Sequence, residues 1–286
     1  MNKVGIYYAY WTSEWDADFV PFIPKVKKLG FDVLEVNAGT IVTMSKAERD
    51  RLQKAAADEG IELTFCIGLP AQYDVASNDL AVRSAGVKFL QEMAGAIGSI
   101  GGKIIGGIVY SSWPGKLPVG ADRRQLIDNS VASMKQVMPA AADVGVTFCM
   151  EVVNRFEQYV MNTAAEAVDY VKRVDSPNCR VLLDCFHMNI EEDSLADAIR
   201  TAAPYLGHFH IGETNRRPPG RGRMAWGELF GALKEVGYRG AISMEPFVAP
   251  GGQVGRDISV YRDLRDGRDL DAEAAAAATF VRNGLK

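Results

Sequence analysis

The sequence has few of the features that would place the protein at a membrane, on nucleic acid or outside the cell. No apolar run approaches the ~20 residues needed to span a bilayer, and the N-terminus has no apolar segment with a small-residue cleavage site. The formal net charge is −4, and Lys and Arg are scattered rather than gathered in a basic stripe. We therefore expect a soluble, cytoplasmic protein with neither a membrane nor a nucleic acid as its partner.

Cysteine pairs and glycine-rich phosphate motifs are also missing. The four cysteines form no CxxC pair and lie mostly in apolar runs, where a reduced thiol behaves as a small core side chain. They are Cys66, Cys149, Cys179 and Cys185. Neither GxGxxG nor GxxxxGK[ST] occurs, which argues against a doubly wound nucleotide-binding fold. A disulfide framework is not expected.

What the chain does contain is a regular alternation of apolar, strand-like runs with amphipathic helical patterns. The predicted strands are 3–10, 31–37, 61–69, 103–110, 146–152, 179–184, 206–212 and 240–247. A helical pattern follows each of them: one that ends at Gly30, then 45–60, 77–98, 122–144, 163–174, 194–203, 226–237 and 272–281. Eight such units in 286 residues, with no linker between them, favour an α/β fold: one (β/α)8 TIM barrel domain over residues 1–286.

Four consecutive predicted strands end in side chains that can bind a metal ion. They are Glu151, Asp184, His210 and Glu245. Each alone has an ordinary explanation, such as a helix N-cap, a solvated loop charge or a hydrogen-bonded core histidine. Active-site groups of a (β/α)8 barrel lie at the carboxyl ends of its strands, so the coincidence favours a site for one divalent ion. Three carboxylates and one imidazole suit manganese, magnesium or cobalt better than structural zinc.

Two of these residues could also carry out proton transfer. Glu151 and Glu245 come from strands three apart in the ring, so they could lie on opposite sides of a small bound ligand. One carboxylate could then take a proton from a carbon while the other returns one to its opposite face. A metal-polarised carbonyl next to that carbon would stabilise the enediolate formed in between. The pattern predicts stereochemical inversion without redox chemistry.

The segments after the strands add polar and aromatic groups that suit a polyol. Glu157 follows strand five, His187 follows strand six, and Arg216 and Arg217 follow strand seven in an Arg-rich loop. Composition leaves open whether that loop is ordered or a mobile, solvated turn. Trp15 and Trp113 could wall a sugar pocket. The acidic run 189–193 is interpreted as the start of the sixth helix, where carboxylates complement the helix dipole.

The two-residue period of a strand places further polar side chains beside this rim. His208 should share a face with His210, and Glu35 should share one with Val33 and Asn37. If those faces point inward, Glu35 and His208 form a buried polar layer that supports the metal ligands. The alternative is that either side chain faces the helices or pairs locally.

The sequence resembles the D-tagatose 3-epimerase and D-psicose (D-allulose) 3-epimerase family of ketose epimerases. The similarity runs over nearly the whole chain and is carried by VGIYYAYW, LGFDVLEV, EVVNRFE, DCFHMNIEED, GHFHIGETNRRPPGRGRMAW and MEPF. It implies a xylose isomerase-like TIM barrel that inverts carbon 3 of free ketohexoses. It also implies a homo-oligomer, a dimer or a tetramer, with one manganese-type ion per subunit.

The resemblance also implies roles for individual residues. Glu151, Asp184, His210 and Glu245 match the family's metal ligands, and Glu151 and Glu245 match its acid/base pair. Glu157, His187 and Arg216 match positions that bind the oxygens at carbons 1 and 2. The wall around the rest of the sugar is matched by Tyr7, Trp15, Cys66, Ile108 and Trp113.

Other functions remain open on the residues alone. An aldose-ketose isomerase or a polyol dehydratase would use the same barrel and the same enediolate chemistry. A metal-dependent nuclease would need more ligands than three histidines comfortably supply, and a basic face. A non-catalytic sugar-binding protein would explain the aromatic residues and Arg216 but has no use for two opposed carboxylates on a metal.

Overall fold

A closed barrel of eight parallel strands lies at the centre of the structure, a computed structural model that describes residues 2–286. Each strand pairs with the next along the chain, and the last pairs with the first. The strands are β1 Val4–Tyr7, β2 Val33–Asn37, β3 Glu62–Leu69, β4 Ile104–Ser112, β5 Thr147–Val152, β6 Cys179–Asp184, β7 Leu206–Ile211 and β8 Ile242–Met244. The prediction of a (β/α)8 barrel is confirmed.

Helices follow every strand and cover the outside of the barrel. In residues 2–286 the α-helices are α1 Phe22–Lys28, α2 Ala38–Thr43, α3 Lys46–Glu59, α4 Leu80–Ser99, α5 Arg123–Asp143, α6 Ala164–Val174, α7 Cys185–Glu191, α8 Leu195–Ala202, α9 Trp226–Glu235, α10 Gly252–Asp257 and α11 Leu270–Gly284. Short 3-10 turns occupy Tyr8–Tyr10, Ala71–Tyr73 and Ala203–Tyr205. The predicted helices are all present, and α2, α7 and α10 are additional short helices.

The interpretation of residues 189–193 as the start of the sixth helix is wrong. These residues lie at the end of α7 and in the turn after it, and α8 begins only at Leu195 with Ser194 as its N-cap. The carboxylates have tertiary partners instead: Arg155 pairs with Glu191, and Glu192 accepts the backbone N–H of Ala164. The acidic run therefore stabilises neighbouring segments rather than the helix that follows it.

Apolar strands and glycine stops explain why the sequence alternates so regularly. Parallel strands covered by helices on the outside and by side chains within the barrel have no solvated face, so they appear as continuous apolar runs. Gly60 and Gly145 end helical segments with φ angles of 64° and 66°, which residues with a Cβ rarely adopt.

All four cysteines are buried free thiols in the described chain. No helix within residues 2–286 has both the length and the apolar character needed to cross a bilayer.

Candidate active site

The four predicted metal ligands meet at the carboxyl end of the barrel. Glu151 and His210 are the penultimate residues of β5 and β7, Asp184 is the last residue of β6, and Glu245 follows β8 directly. Asp184 pairs in register with His210, and the backbone N–H of Glu245 donates to the carbonyl of Ile211. Adjacent parallel strands thus deliver the four side chains to one rim, where each is buried.

The geometry of this group fits a divalent ion. One potential ligand atom from each of the four side chains lies within 4.8 Å of all the others. Ligands of an octahedral ion with ~2.1 Å bonds are about 3 to 4 Å apart, so the spacing is right. His210 Nδ1 faces the carboxylates, 3.5 Å from Glu151 Oε1 and 3.9 Å from Glu245 Oε2, and has no hydrogen-bond partner among residues 2–286. A buried nitrogen that faces carboxylates and has no hydrogen-bond partner could serve as a metal ligand.

Arg216 lies against the same carboxylates. Its Nη1 donates to Asp184 Oδ2 at 2.9 Å and to Glu245 Oε2 at 3.1 Å. The guanidinium lies over the ring of Phe186, with Cζ 3.8 Å from the ring centroid, and this packing orients its plane. Arg216 therefore offsets part of the negative charge of Asp184 and Glu245 from the side that faces the cavity.

Burial and mutual repulsion separate the acidities of the carboxylates. Burial, followed by the nearby Glu151 carboxylate, raises the pKa of Glu245 to about 8. Burial also opposes ionisation of Asp184, but Arg216 and His187 outweigh it and hold the pKa of Asp184 below its ordinary value. A carboxyl that holds its proton near neutral pH, beside another that remains ionised, is a pattern typical of acid/base sites.

His187 and Glu157 present a second polar group on the cavity side. Asn154 donates its backbone N–H to His187 Nδ1 at 3.2 Å, which leaves the hydrogen of the neutral ring on Nε2. Burial and the charge of Arg216 lower the pKa of His187. His187 Nε2 and Arg216 Nη2 lie 3.1 Å apart. Both side chains line the cavity, where an oxygen of a bound ligand could accept a hydrogen bond from either.

A cavity of about 570 Å³ opens above this polar floor. All eight predicted substrate-binding residues line it, as do both predicted acid/base residues. They are Tyr7, Trp15, Cys66, Ile108, Trp113, Glu157, His187 and Arg216, with Glu151 and Glu245. Asp184 and His210 lie beneath the lining. Of the four predicted metal ligands, the two predicted to move protons are thus the ones that line the cavity.

The aromatic walls are fixed by hydrogen bonds. Trp113 Nε1 donates to Glu157 Oε2 at 3.0 Å, and Glu157 also accepts from Asn154 Nδ2 at 3.0 Å. Burial would raise the pKa of Glu157, but His187, Arg216 and these donors hold it below its ordinary value. On the opposite wall, Trp15 Nε1 donates to Asp257 Oδ2 of α10 at 2.8 Å. The short helix α10 therefore fastens one side of the cavity.

The Arg-rich loop after β7 is ordered, and the residue that orders it was not identified from the sequence. Glu213 is completely buried and accepts four N–H groups from the loop's own segment. The donors are the backbone N–H groups of Gly220, Arg221 and Met224 and the indole N–H of Trp226. Of the two readings left open for this loop, the structure supports the ordered one. No sequence signal marks Glu213, because its partners are mainly backbone groups.

Glu35 and His208 form a buried layer beneath the metal-ligand group. Glu35 Oε2 accepts from Thr64 Oγ1 and from His208 Nε2, each at 2.6 Å, and Glu35 Oε1 lies 2.6 Å from His210 Nε2. Burial would raise the pKa of Glu35, but His210 and His208 hold it well below its ordinary value. Of the two placements left open for Glu35 and His208, the structure has the inward one.

Comparisons with known proteins find sugar epimerases that are similar to this chain over nearly its whole length. Residues 23–264 match the family model described as xylose isomerase-like TIM barrel. D-psicose 3-epimerase of Agrobacterium fabrum is 48% identical over 283 residues, which cover 98% of each chain. L-ribulose 3-epimerase of Mesorhizobium japonicum is 33% identical over 100% of this chain and 95% of its own.

A solved structure is similar over the same extent. The crystal structure of D-psicose 3-epimerase with D-tagatose from Clostridium cellulolyticum H10 superposes with a TM-score of 0.97. It has 46% sequence identity, and the match covers 99% of both chains.

Proposed function

The chain belongs to the D-tagatose/D-psicose 3-epimerase family of xylose isomerase-like TIM barrels, whose named members are epimerases, and we propose that it inverts carbon 3 of free ketohexoses. The proposed substrate pairs are D-tagatose with D-sorbose and D-fructose with D-psicose. The single observation that carries the proposal is the arrangement of Glu151 and Glu245, two buried carboxylates that line one cavity beside His210.

Glu151, Asp184, His210 and Glu245 are proposed to hold one divalent ion per subunit. The three carboxylate oxygens and one imidazole nitrogen are hard or borderline donors, which supports manganese, with cobalt and magnesium as alternatives. Bound there, the ion would polarise the ketose carbonyl and acidify the neighbouring C–H bond.

The protein's own residues are proposed to bind and orient the sugar. His187 Nε2 and Arg216 Nη2 would donate to the oxygens at carbons 1 and 2, and Glu157 would accept from a hydroxyl. Tyr7, Trp15, Cys66, Ile108 and Trp113 would contact the carbon-hydrogen faces of the rest of the chain. These contacts would fix carbon 3 between the two glutamates.

Proton transfer is proposed to follow on opposite faces of carbon 3. One glutamate takes the C3 proton, and the C3–H electron pair becomes part of the enediolate. The other glutamate gives its proton to the opposite face of carbon 3, which restores the ketone with inverted configuration. The scheme requires one glutamate to be ionised and the other to hold a proton at the start of each turnover, and the two exchange these states when the reaction runs in the opposite direction.

Hydrogen exchange in deuterated water tests the proposal. We expect the manganese-loaded protein to convert D-fructose to D-psicose with deuterium at carbon 3, and a chelator to stop the reaction. Glu245→Gln should lower kcat by at least ~100-fold, because it cannot exchange the proton. The exposed Glu228→Gln, the same chemical change outside the cavity, should leave kcat unchanged. An aldose product would instead identify an aldose-ketose isomerase, and a dehydrated product a polyol dehydratase.

We also propose a cytoplasmic homodimer in which residues 1–286 form one domain, with a tetramer as the alternative assembly. Val119 and Phe156 are exposed apolar side chains on the loops after β4 and β5, and Lys116 Nζ ties those loops together through the carbonyl of Phe156. Such an apolar surface supports contact with a second copy. Light scattering should give twice the mass of one chain, and Phe156→Ser should shift the protein toward monomer.

A further inference from the structure

We propose that Glu35 is a positioning residue for the metal site: it holds the ring of His210 so that Nδ1 faces Glu151, Asp184 and Glu245. This inference rests on the proposed metal site, but it concerns a residue that lines neither the cavity nor the metal-ligand group. Glu35 is on β2, whereas His210 is on β7, three strands away around the ring. Its side chain therefore crosses the barrel interior to reach the histidine.

The contact determines which nitrogen of His210 carries hydrogen. Glu35 Oε1 lies 2.6 Å from His210 Nε2, although the N–H direction is oblique to the oxygen. An unprotonated ring nitrogen at that distance from a carboxylate oxygen would repel it, so Nε2 carries the hydrogen. The lone pair of a neutral ring is then on Nδ1, the atom that faces the three carboxylates. Glu35 thus selects the tautomer that can bind a metal ion.

Glu35 is itself fixed by two further buried groups. Thr64 Oγ1 and His208 Nε2 both donate to Oε2 at 2.6 Å, so Oε1 is turned toward His210. Thr64 pairs in register with Glu35, and His208 lies two residues before His210 on the same face of β7. Glu35 is completely buried, and burying a carboxylate costs free energy unless the carboxylate is paired. Proteins in which apolar side chains replace a buried, paired polar group are often as stable as the original. Stability alone therefore does not account for this layer.

Glu35 could also bind a metal ion directly, and this role must be distinguished from positioning His210. Glu35, Cys66 and His210 also offer three potential ligand atoms within 4.8 Å of one another, which could suggest an ion of their own. The hydrogen on His210 Nε2 argues against it, because a ligand atom needs a free lone pair and Nδ1 faces the other group of carboxylates. Positioning predicts one ion per chain, whereas direct ligation predicts a second ion.

Titration of the chelator-treated protein with Mn²⁺ by calorimetry tests the proposal. We expect Glu35→Ala to bind Mn²⁺ about 10- to 100-fold more weakly than the wild type, the usual effect of losing such a partner. Glu35→Gln, which keeps an amide oxygen as an acceptor, should recover part of this loss. Thr64→Val removes one donor to Glu35 and should have a smaller effect in the same direction. Ser243→Ala is the matched control: it lies beside His210 in register, and its buried hydroxyl has no hydrogen-bond partner within the described residues.

The visible spectrum of the Co²⁺-loaded variants gives a readout that a merely structural role would not change. A reoriented His210 should alter the Co²⁺ absorption bands of Glu35→Ala, and Ser243→Ala should retain the wild-type spectrum. If Glu35→Ala fails to fold, Glu35→Gln and Thr64→Val carry the same comparison. Unchanged affinity and spectrum in the Glu35 variants, or two ions per wild-type chain, would overturn the inference. Wild-type protein that binds no Mn²⁺ would instead refute the proposed metal site.

Discussion

The loop that carries Arg216 should depend on the buried carboxylate of Glu213. Glu213→Gln preserves the shape of the side chain and changes only its charge and one acceptor atom. Oε1 accepts from Gly220 N at 2.7 Å, Trp226 Nε1 at 3.0 Å and Arg221 N at 3.1 Å, and an amide oxygen could keep all three bonds. Oε2 accepts from Met224 N at 3.2 Å. In the variant an amide nitrogen takes its place, and because both groups would then be donors, the Met224 N–H loses its partner.

The expected cost follows from these four contacts. Hydrogen bonds to a charged group contribute about 1.5–3 kcal/mol and neutral ones about 0.5–1.5 kcal/mol, so each retained bond loses roughly 1 kcal/mol. Leaving the Met224 N–H unpaired adds about 1–3 kcal/mol. The sum, about 4–6 kcal/mol, is comparable to the low end of the ~5–15 kcal/mol that stabilises a typical domain, and it falls on contacts of the loop alone. We therefore expect the loop to open while the barrel remains folded.

Limited trypsin digestion measures this opening without assuming any activity. Arg221 and Arg223 are exposed in the loop, and opening should expose the backbone around them to cleavage. Glu213→Gln should be cut there at least tenfold faster than the wild type, and the KM for the ketose should rise because the segment that follows Arg216 is no longer ordered. Glu228→Gln, on α9 just beyond the loop, is the control and should be cut at the wild-type rate.

Equal cleavage rates and equal KM values in Glu213→Gln and the wild type would refute the reasoning. They would mean that the apolar contacts of the loop, rather than the carboxylate, keep it ordered. Loss of the whole fold, seen as a collapse of the circular dichroism signal, would also count against a local role.

Two further predictions concern stability. In chelator-treated protein, the free energy of unfolding should fall as pH rises from 4.5 to about 8. The reason is that Glu245 keeps its proton in the folded state up to its pKa of about 8, whereas the unfolded chain releases that proton above 4.5. Urea denaturation across this pH range measures the slope, which Glu245→Gln should flatten. Gly107→Ala should lower the free energy of unfolding by about 3 kcal/mol, because φ is +102° and a Cβ would lie 2.2 Å from the carbonyl oxygen of Ile67. Gly95→Ala on α4, where a Cβ meets nothing within 4 Å, should instead stabilise by roughly 0.5–1 kcal/mol, and the opposite order in urea denaturation would contradict both.

Much of the architecture could be predicted from local patterns. Buried parallel strands are apolar throughout and amphipathic helices have a 3.6-residue period, so the eight units are visible in the sequence. The short helices α2 and α7 were missed because each begins directly at the end of a strand, N-capped by the strand's own last residue, Asn37 or Asp184. Residues 189–193 were misinterpreted because acidic residues suit a helix N-terminus as well as the tertiary partners they have here.

The sequence by itself determined which residues stand at the strand ends, because strand order and the direction of a parallel barrel bring Glu151, Asp184, His210 and Glu245 to one rim. Only the tertiary structure decided how they are supported. Glu35 reaches His210 from the far side of the ring, and Arg216 reaches Asp184 and Glu245 from a loop held by Glu213. The physical reason is range: periodicity is a local property of the chain, whereas these contacts join residues that only barrel closure brings together.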